Sequence, residues 1–311
     1  MTRLGSFLDK QGRFLIENDR QALIYIAVLA LIPFTGWLAA AIIALITLRK
    51  GWQQGFKGFF VAFLALLILS LMTLPLNAAL TNSALVFLPC FLTAAVLHST
   101  ASWKLAGGFI VLQVLLILVL IHWLAPEFIM NQIQYIQSAF QVYKKEGFDS
   151  SAIDLLMNQS KPGLKIIANY LIGIQSLILA ISTLASLALA RSVQSSIYYP
   201  GGFKQEMLEF RASAPGVFLL GLVALGAYKH NLIAISCLPI LVTYYMFAGL
   251  SLTYRIFAHG KGIGSLVLLI VPLLVLPFIM LPIYAIVGAL DSLFNLRTHL
   301  SLKTDGKENK G

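Results

Sequence analysis

Two hydrophobic stretches of the chain carry hydrogen-bonding side chains at helical spacing. In 164–190, Asn169, Gly173, Ser176, Ala180 and Thr183 fall at i, i+4, i+7, i+11 and i+14, so one face is small and polar along most of its length. In 232–256, Ser236, Thr243, Phe247 and Tyr254 lie near one face, with Tyr244, Gly249 and Ser251 beside it. Small residues let helices approach closely, and hydroxyls and amides then either bond across the contact or line a pocket for a solute. On the second alternative Asn169, Ser176, Thr183, Thr243, Tyr244 and Tyr254 are the candidate ligand-binding residues.

Other chemistry has little to draw on. The chain has no GxxxxGK[ST] phosphate loop, no HExxH, no CxxC and no GxSxG. His98 and His122 sit at the edges of apolar runs, and His230, His259 and His299 in loops or the tail, with no pair at metal-ligand spacing. Cys90 and Cys237 lie inside apolar runs, where a thiol behaves as a small hydrophobe. Ionisable groups near the middle of a span mark ion and proton pathways. The nearest here is Asp291 at the end of a run, with Arg297 six residues on; they read as a helix cap and an interfacial anchor. No catalytic residue, metal or cofactor is assigned, and the expectation is that the protein is not an enzyme.

The elements that must position these residues follow from composition. Of 311 residues, 59% are hydrophobic and 11% charged, with mean hydropathy +0.87. Soluble domains carry about 25% charged residues, so a water-facing surface cannot be assembled, and the chain reads as an all-α polytopic transmembrane bundle. Eight apolar runs are long enough to be spans: 22–48, 57–76, 83–98, 105–125, 164–190, 214–228, 232–256 and 264–290. The run 22–48 holds Pro33 and Gly36, and 264–290 holds Pro272, Pro277 and Pro282, so each is either one kinked helix or a hairpin. Ala40 and Ala44, one turn apart, offer a docking face for another membrane helix. A polar segment, 1–20, precedes the transmembrane domain, 21–297, and a polar tail, 298–311, is expected to be disordered.

Two segments between spans are amphipathic. In the loop 126–163, Ile129, Ile133, Ile136, Phe140 and Tyr143 recur at helical spacing after Pro126, with Gly147 as a stop. This is an interfacial helix, acting as a strut or as a lid over a cavity; Ser151 and Asp154 have capping-box spacing for a second. In 198–211, Phe203, Met207 and Phe210 share a face after the Pro200-Gly201-Gly202 turn.

The net charge of +10 is spread through tails and loops, which argues for a membrane surface and against nucleic acid. Eight single crossings give thirteen Lys/Arg on the side of the termini and nine on the other. Two hairpins would instead bring the tails and the short basic loops together, and the termini are expected in the cytoplasm.

Several strings carry a resemblance. Leu48-Arg49-Lys50-Gly51 closes the first run, and Asn231 opens the run containing Tyr-Tyr-Met-Phe-Ala-Gly-Leu-Ser at 244–251. Gly-Ala-Leu-Asp-Ser-Leu-Phe-Asn-Leu-Arg stands at 288–297. With these the chain resembles the YybS-like family of bacterial multi-pass inner-membrane proteins, best over 191–297. The broken first run followed by Arg-Lys-Gly is also similar to the substrate-binding membrane subunits of energy-coupling-factor transporters. That resemblance implies a solute-binding transport component that borrows its ATPase from a separate chain. The alternative is a non-transporting scaffold or regulator that binds another membrane protein.

Overall fold

The computed structural model describes residues 3–145, 160–257 and 262–298. Among these residues the regular structure is helical, with no strand. In chain order the helices are α1 (Arg3–Glu17), α2 (Asp19–Leu31), α3 (Gly36–Lys50), α4 (Trp52–Ser70), α5 (Leu76–Thr100), α6 (Trp103–Leu124) and α7 (Pro126–Lys145). After them come α8 (Ser160–Tyr198), α9 (Gly202–Leu208), α10 (Ala214–Tyr228), α11 (Leu232–Phe257), α12 (Gly262–Val275) and α13 (Pro277–Phe294). Six of these helices (α4, α5, α6, α8, α11 and α13) are long and apolar enough to cross a membrane, and α10 is a shorter apolar helix.

Both proline-interrupted runs are hairpins. The first turns at 32–35, where Phe34 takes φ +66° and the Thr35 hydroxyl donates to the Leu29 and Ile32 carbonyls. Its arms face each other: a Cβ on Gly58 would meet both Ile26 and Ile43 at 3.1 and 3.5 Å, and Lys50 pairs with Asp19 at the open end. Arms of 13 and 15 residues reach about 20 Å, short of the ~30 Å hydrocarbon core. The second hairpin breaks between α12 and α13 at Leu276, before Pro277, and the Tyr284 hydroxyl donates across it to the Leu269 carbonyl.

The run 83–98 is longer than its apolar core. Helix α5 takes in 77–82 as well, because Thr81 and Ser83 return their hydroxyls to the carbonyls of Asn77 and Ala79, while Asn82 donates to the Ser70 hydroxyl. Polar side chains satisfied in this way do not end a helix.

Helix α8 is the axis, with α1, α3, α5, α6, α7 and α11 packed around it. Helix α3, rich in alanine, is enclosed by α2, α4, α5 and α8; Ala40 and Ala44 are buried there, so the face proposed for a foreign helix is occupied by the chain itself. Helix α7 also lies on its own bundle: Ile136 packs with Leu164 and Ala168 of α8, Ile133 against them. The side chains of Phe140 and Tyr143, the Gly147 stop, the Ser151 capping box and the tail from 299 lie outside the described residues.

The hairpins set the charge distribution. The ends of α3, α5, α8, α11 and α13 meet the starts of α4 and α6 on one face of the bundle, beside α1 and α9. Among the described residues that basic face holds thirteen Lys/Arg; only Lys144, Lys145, Lys161, Lys165 and Lys229 lie at the far face.

Candidate functional site

Helices α8 and α11 meet first toward the far face. A Cβ on Gly173 would stand 2.5 Å from the Ser236 carbonyl oxygen, so the closeness of this contact requires a glycine. Next to it the fully buried Asn169 ties three helices together. Its Oδ1 lies 2.7 Å from Nε2 of His122 on α6, and its Nδ2 donates to the Lys165 carbonyl at 2.7 Å. The Ser236 hydroxyl donates to the Asn169 carbonyl at 3.0 Å, and His122 Nδ1 lies 2.8 Å from the Leu118 carbonyl. A buried amide is costly unless bonded, and Asn169 is bonded within the protein.

Toward the basic face the same two helices part around a cavity of about 160 Å³. Helix α6 supplies Trp103, Gly107, Ile110 and Val111, and α8 supplies Leu177, Ala180, Ile181 and Leu184. From α11 come Ile240, Thr243, Tyr244, Phe247 and Ser251, while Met207 and Phe210 close the end at the basic face. Glycine at 107 leaves room for the rings of Phe210 and Tyr244, 3.2 and 3.3 Å from where its Cβ would be. Most of the polar groups on the walls are committed. Trp103 Nε1 donates to Glu206 at 2.7 Å, Tyr244 Oη accepts from the Ser213 N–H at 3.2 Å, and the Ser251 hydroxyl donates to the Met207 carbonyl at 2.7 Å. Thr243 is 8% exposed, and its hydroxyl makes no hydrogen bond among the described residues. Thr47, Thr93 and Thr253, by contrast, return theirs to the carbonyl four residues back.

The segment that closes the cavity is fastened on both sides. Gly201 at φ +88° starts α9 in a conformation suited to glycine. Glu206 then takes both Nε (3.0 Å) and Nη2 of Arg191, besides the Trp103 indole. Partial burial raises the Glu206 carboxyl, but the Arg191 and Trp103 hydrogen bonds and the Arg191 charge outweigh it and hold the group below its ordinary value.

On the other side Arg297 donates to the Leu208 and Phe210 carbonyls at 2.6 Å each and to Asp291 Oδ2 at 2.9 Å. Asp291 is fully buried and Arg297 nearly so. The reading of this pair as a helix cap and an interfacial anchor is therefore corrected: it is an internal ion pair that grips the end of α9 and the chain just after it. Arg211 adds bonds to the Asp291 and Ser292 carbonyls.

Of the six residues singled out by spacing, Thr243 and Tyr244 line the cavity. Asn169 belongs to the polar tie; Ser176 and Thr183 are buried and Tyr254 is half-buried, and none of these four lines the cavity. Spacing missed Trp103, Glu206 and Arg191, and placed Ser251 beside the polar face without making it a candidate. Arg191 and Glu206 do stand out in a charge-poor sequence, but their pairing depends on the turn at 199–201. No group of three or more His, Cys, Asp or Glu among the described residues could hold a metal ion.

Two of the strings that carry the resemblance, 244–251 and 288–297, meet in this region. Tyr244 and Ser251 line the cavity, Asp291 and Arg297 fasten its end, and a Cβ on Gly249 would overlap the Tyr284 carbonyl where α11 crosses α13. No curated protein and no solved structure is a match for the chain. A family model described as "Predicted membrane protein (DUF2232)" matches residues 22–292, from the first hairpin to the α13 residues beside Asp291, and the chain belongs to that family.

Proposed function

We propose that the protein is the ligand-binding component of a membrane transport system, without an ATPase of its own. One observation carries the reading: a largely apolar cavity among α6, α8 and α11, closed at one end by a short helix held by two ion pairs. A packed bundle has little use for such a space, whereas concave apolar sites with a few placed polar groups are typical of small-molecule binding. The likeness to substrate-binding subunits of energy-coupling-factor transporters supports the same reading. It implies a separate ATPase as partner and assigns the chain no catalytic chemistry. The scaffold alternative is less well supported, since Ile133 and Ile136, on the apolar face of α7, pack within the bundle.

The reading includes location. Thirteen Lys/Arg on one face against five on the other favour a bacterial cytoplasmic membrane with the basic face, and the described ends of the chain, in the cytoplasm. Native mass spectrometry of protein released from its own membrane in mild detergent tests the proposal. A retained small molecule of one defined mass, or a stoichiometric ATPase, is the expected result. A stoichiometric partner of another kind, with no small molecule, would turn the assignment toward the scaffold.

A further inference from the structure

The shape and chemistry of the cavity narrow the ligand. On α11 the lining residues run from Ile240 to Ser251, eleven residues and so about 16 Å of helix rise. On α8 they run from Leu177 to Leu184, about 10 Å. A volume of about 160 Å³ drawn out along these helices is a narrow slot. A sugar, an amino acid or an ion would need several hydrogen-bond partners inside it. The indole of Trp103 and the hydroxyl of Ser251 donate within the protein, the Tyr244 oxygen accepts from the Ser213 N–H, and the charges of Arg191 and Arg297 are answered by Glu206 and Asp291. What remains is the O–H proton of Tyr244, given to no acceptor among the described residues, and beside it the Thr243 hydroxyl, nine-tenths buried on the slot wall and without any hydrogen bond among the described residues. Ile181, another wall residue on a helix long and apolar enough to cross a membrane, is 43% exposed, so the slot wall is open at that residue.

We infer that the slot takes a hydrocarbon chain of a membrane-borne ligand, acyl or isoprenyl, bearing one hydrogen-bonding group that Thr243 meets. This rests on the reading of the cavity as a ligand site and specifies its ligand class. The chain enters laterally past Ile181, lies along Leu177, Ala180 and Ile240, and points its polar group toward the aromatic end at Tyr244 and Phe247.

Photolabelling tests the inference. The full-length protein in phospholipid vesicles is irradiated with palmitic acid carrying a mid-chain diazirine, or with farnesol carrying a diazirine, each with and without excess unlabelled compound. Adducts are then mapped by peptide mass spectrometry. Saturable labelling of 177–184 or 240–247 by either probe is the expected result, and which probe labels identifies the chain type. Thr243→Val, which keeps the shape, should weaken competition about tenfold, the loss of one hydrogen bond. Ala180→Phe should abolish the saturable label. Labelling that never saturates, or that falls equally on the exposed α10, would overturn the inference. So would a hydrophilic molecule retained in native mass spectrometry, which would leave the transport reading standing; retention of no small molecule and no ATPase would remove both.

Discussion

Helices α8 and α11 face each other twice, and the two meetings differ in kind. Toward the far face Gly173 lets the backbones touch, and Asn169, Ser236 and His122 satisfy one another. Toward the basic face α11 is drawn to α13 instead, through Gly249 and Gly288, whose Cβ atoms would overlap the carbonyls of Tyr284 and Tyr245. Larger side chains at Leu177, Ile181 and Ile240 then surround a space that α9 caps. The difference teaches that a polar stripe on a membrane helix marks the contact it seals, while the cavity lies where the stripe gives way to apolar residues and the partner helix is claimed by another neighbour.

The largest effect is expected where the cavity end is fastened. Arg297→Gln removes one partner of a buried ion pair and the bonds to the last residue of α9 and to Phe210, a loss of about 3–5 kcal/mol, measured as thermal stability in detergent. A melting temperature equal to wild type would mean that the pair does not hold the cap. Next comes the α11–α13 crossing. Gly249→Leu should cost about 3 kcal/mol, at the upper end for overpacking. Gly221→Ala, inside α10 and with nothing within 4 Å, should cost nothing and raise stability by up to about 1 kcal/mol.

At the sealed meeting Asn169→Leu strands the groups that met its amide and should cost about 1–3 kcal/mol. Because that residue lies outside the cavity, any folded fraction should keep its ligand. Loss of the ligand at unchanged stability would shift the site to the polar tie.

The smallest effect concerns Glu206. Its carboxyl is held below the ordinary range in the folded protein. The stability it lends is present above its unfolded value of about 4.3 and is lost as pH falls through the lower folded one. Its partial exposure keeps the contribution near 1 kcal/mol. Stability should therefore be level with respect to this group from pH 7 to 5 and fall only below about pH 4. Glu206→Gln should remove that acid component; an unchanged acid profile in the variant would detach Glu206 from the cap.

Much of the architecture was legible because lipid leaves few choices. Apolar runs and charge scarcity were enough to identify a helical membrane bundle, and the prolines of 22–48 and 264–290 marked where hairpins were an alternative to single spans. The hairpins themselves depend on contacts between distant residues, such as Asp19 with Lys50 and Tyr284 with Leu269. Periodicity led to two of the three helices that line the cavity, but it ranked residues by polarity. That criterion picks out Asn169 as readily as Thr243, although one is bonded and the other is not. Trp103 and Glu206, 103 residues apart, meet only after α9 folds back under α6.

On the proposed function, the ligand sits in the cavity among α6, α8 and α11. Native mass spectrometry of wild type beside Ala180→Phe, which fills that space, tests it most directly. The expected result is a small molecule retained by wild type and lost from a variant with an unchanged, folded bundle. Retention of the same molecule by the folded variant would contradict it.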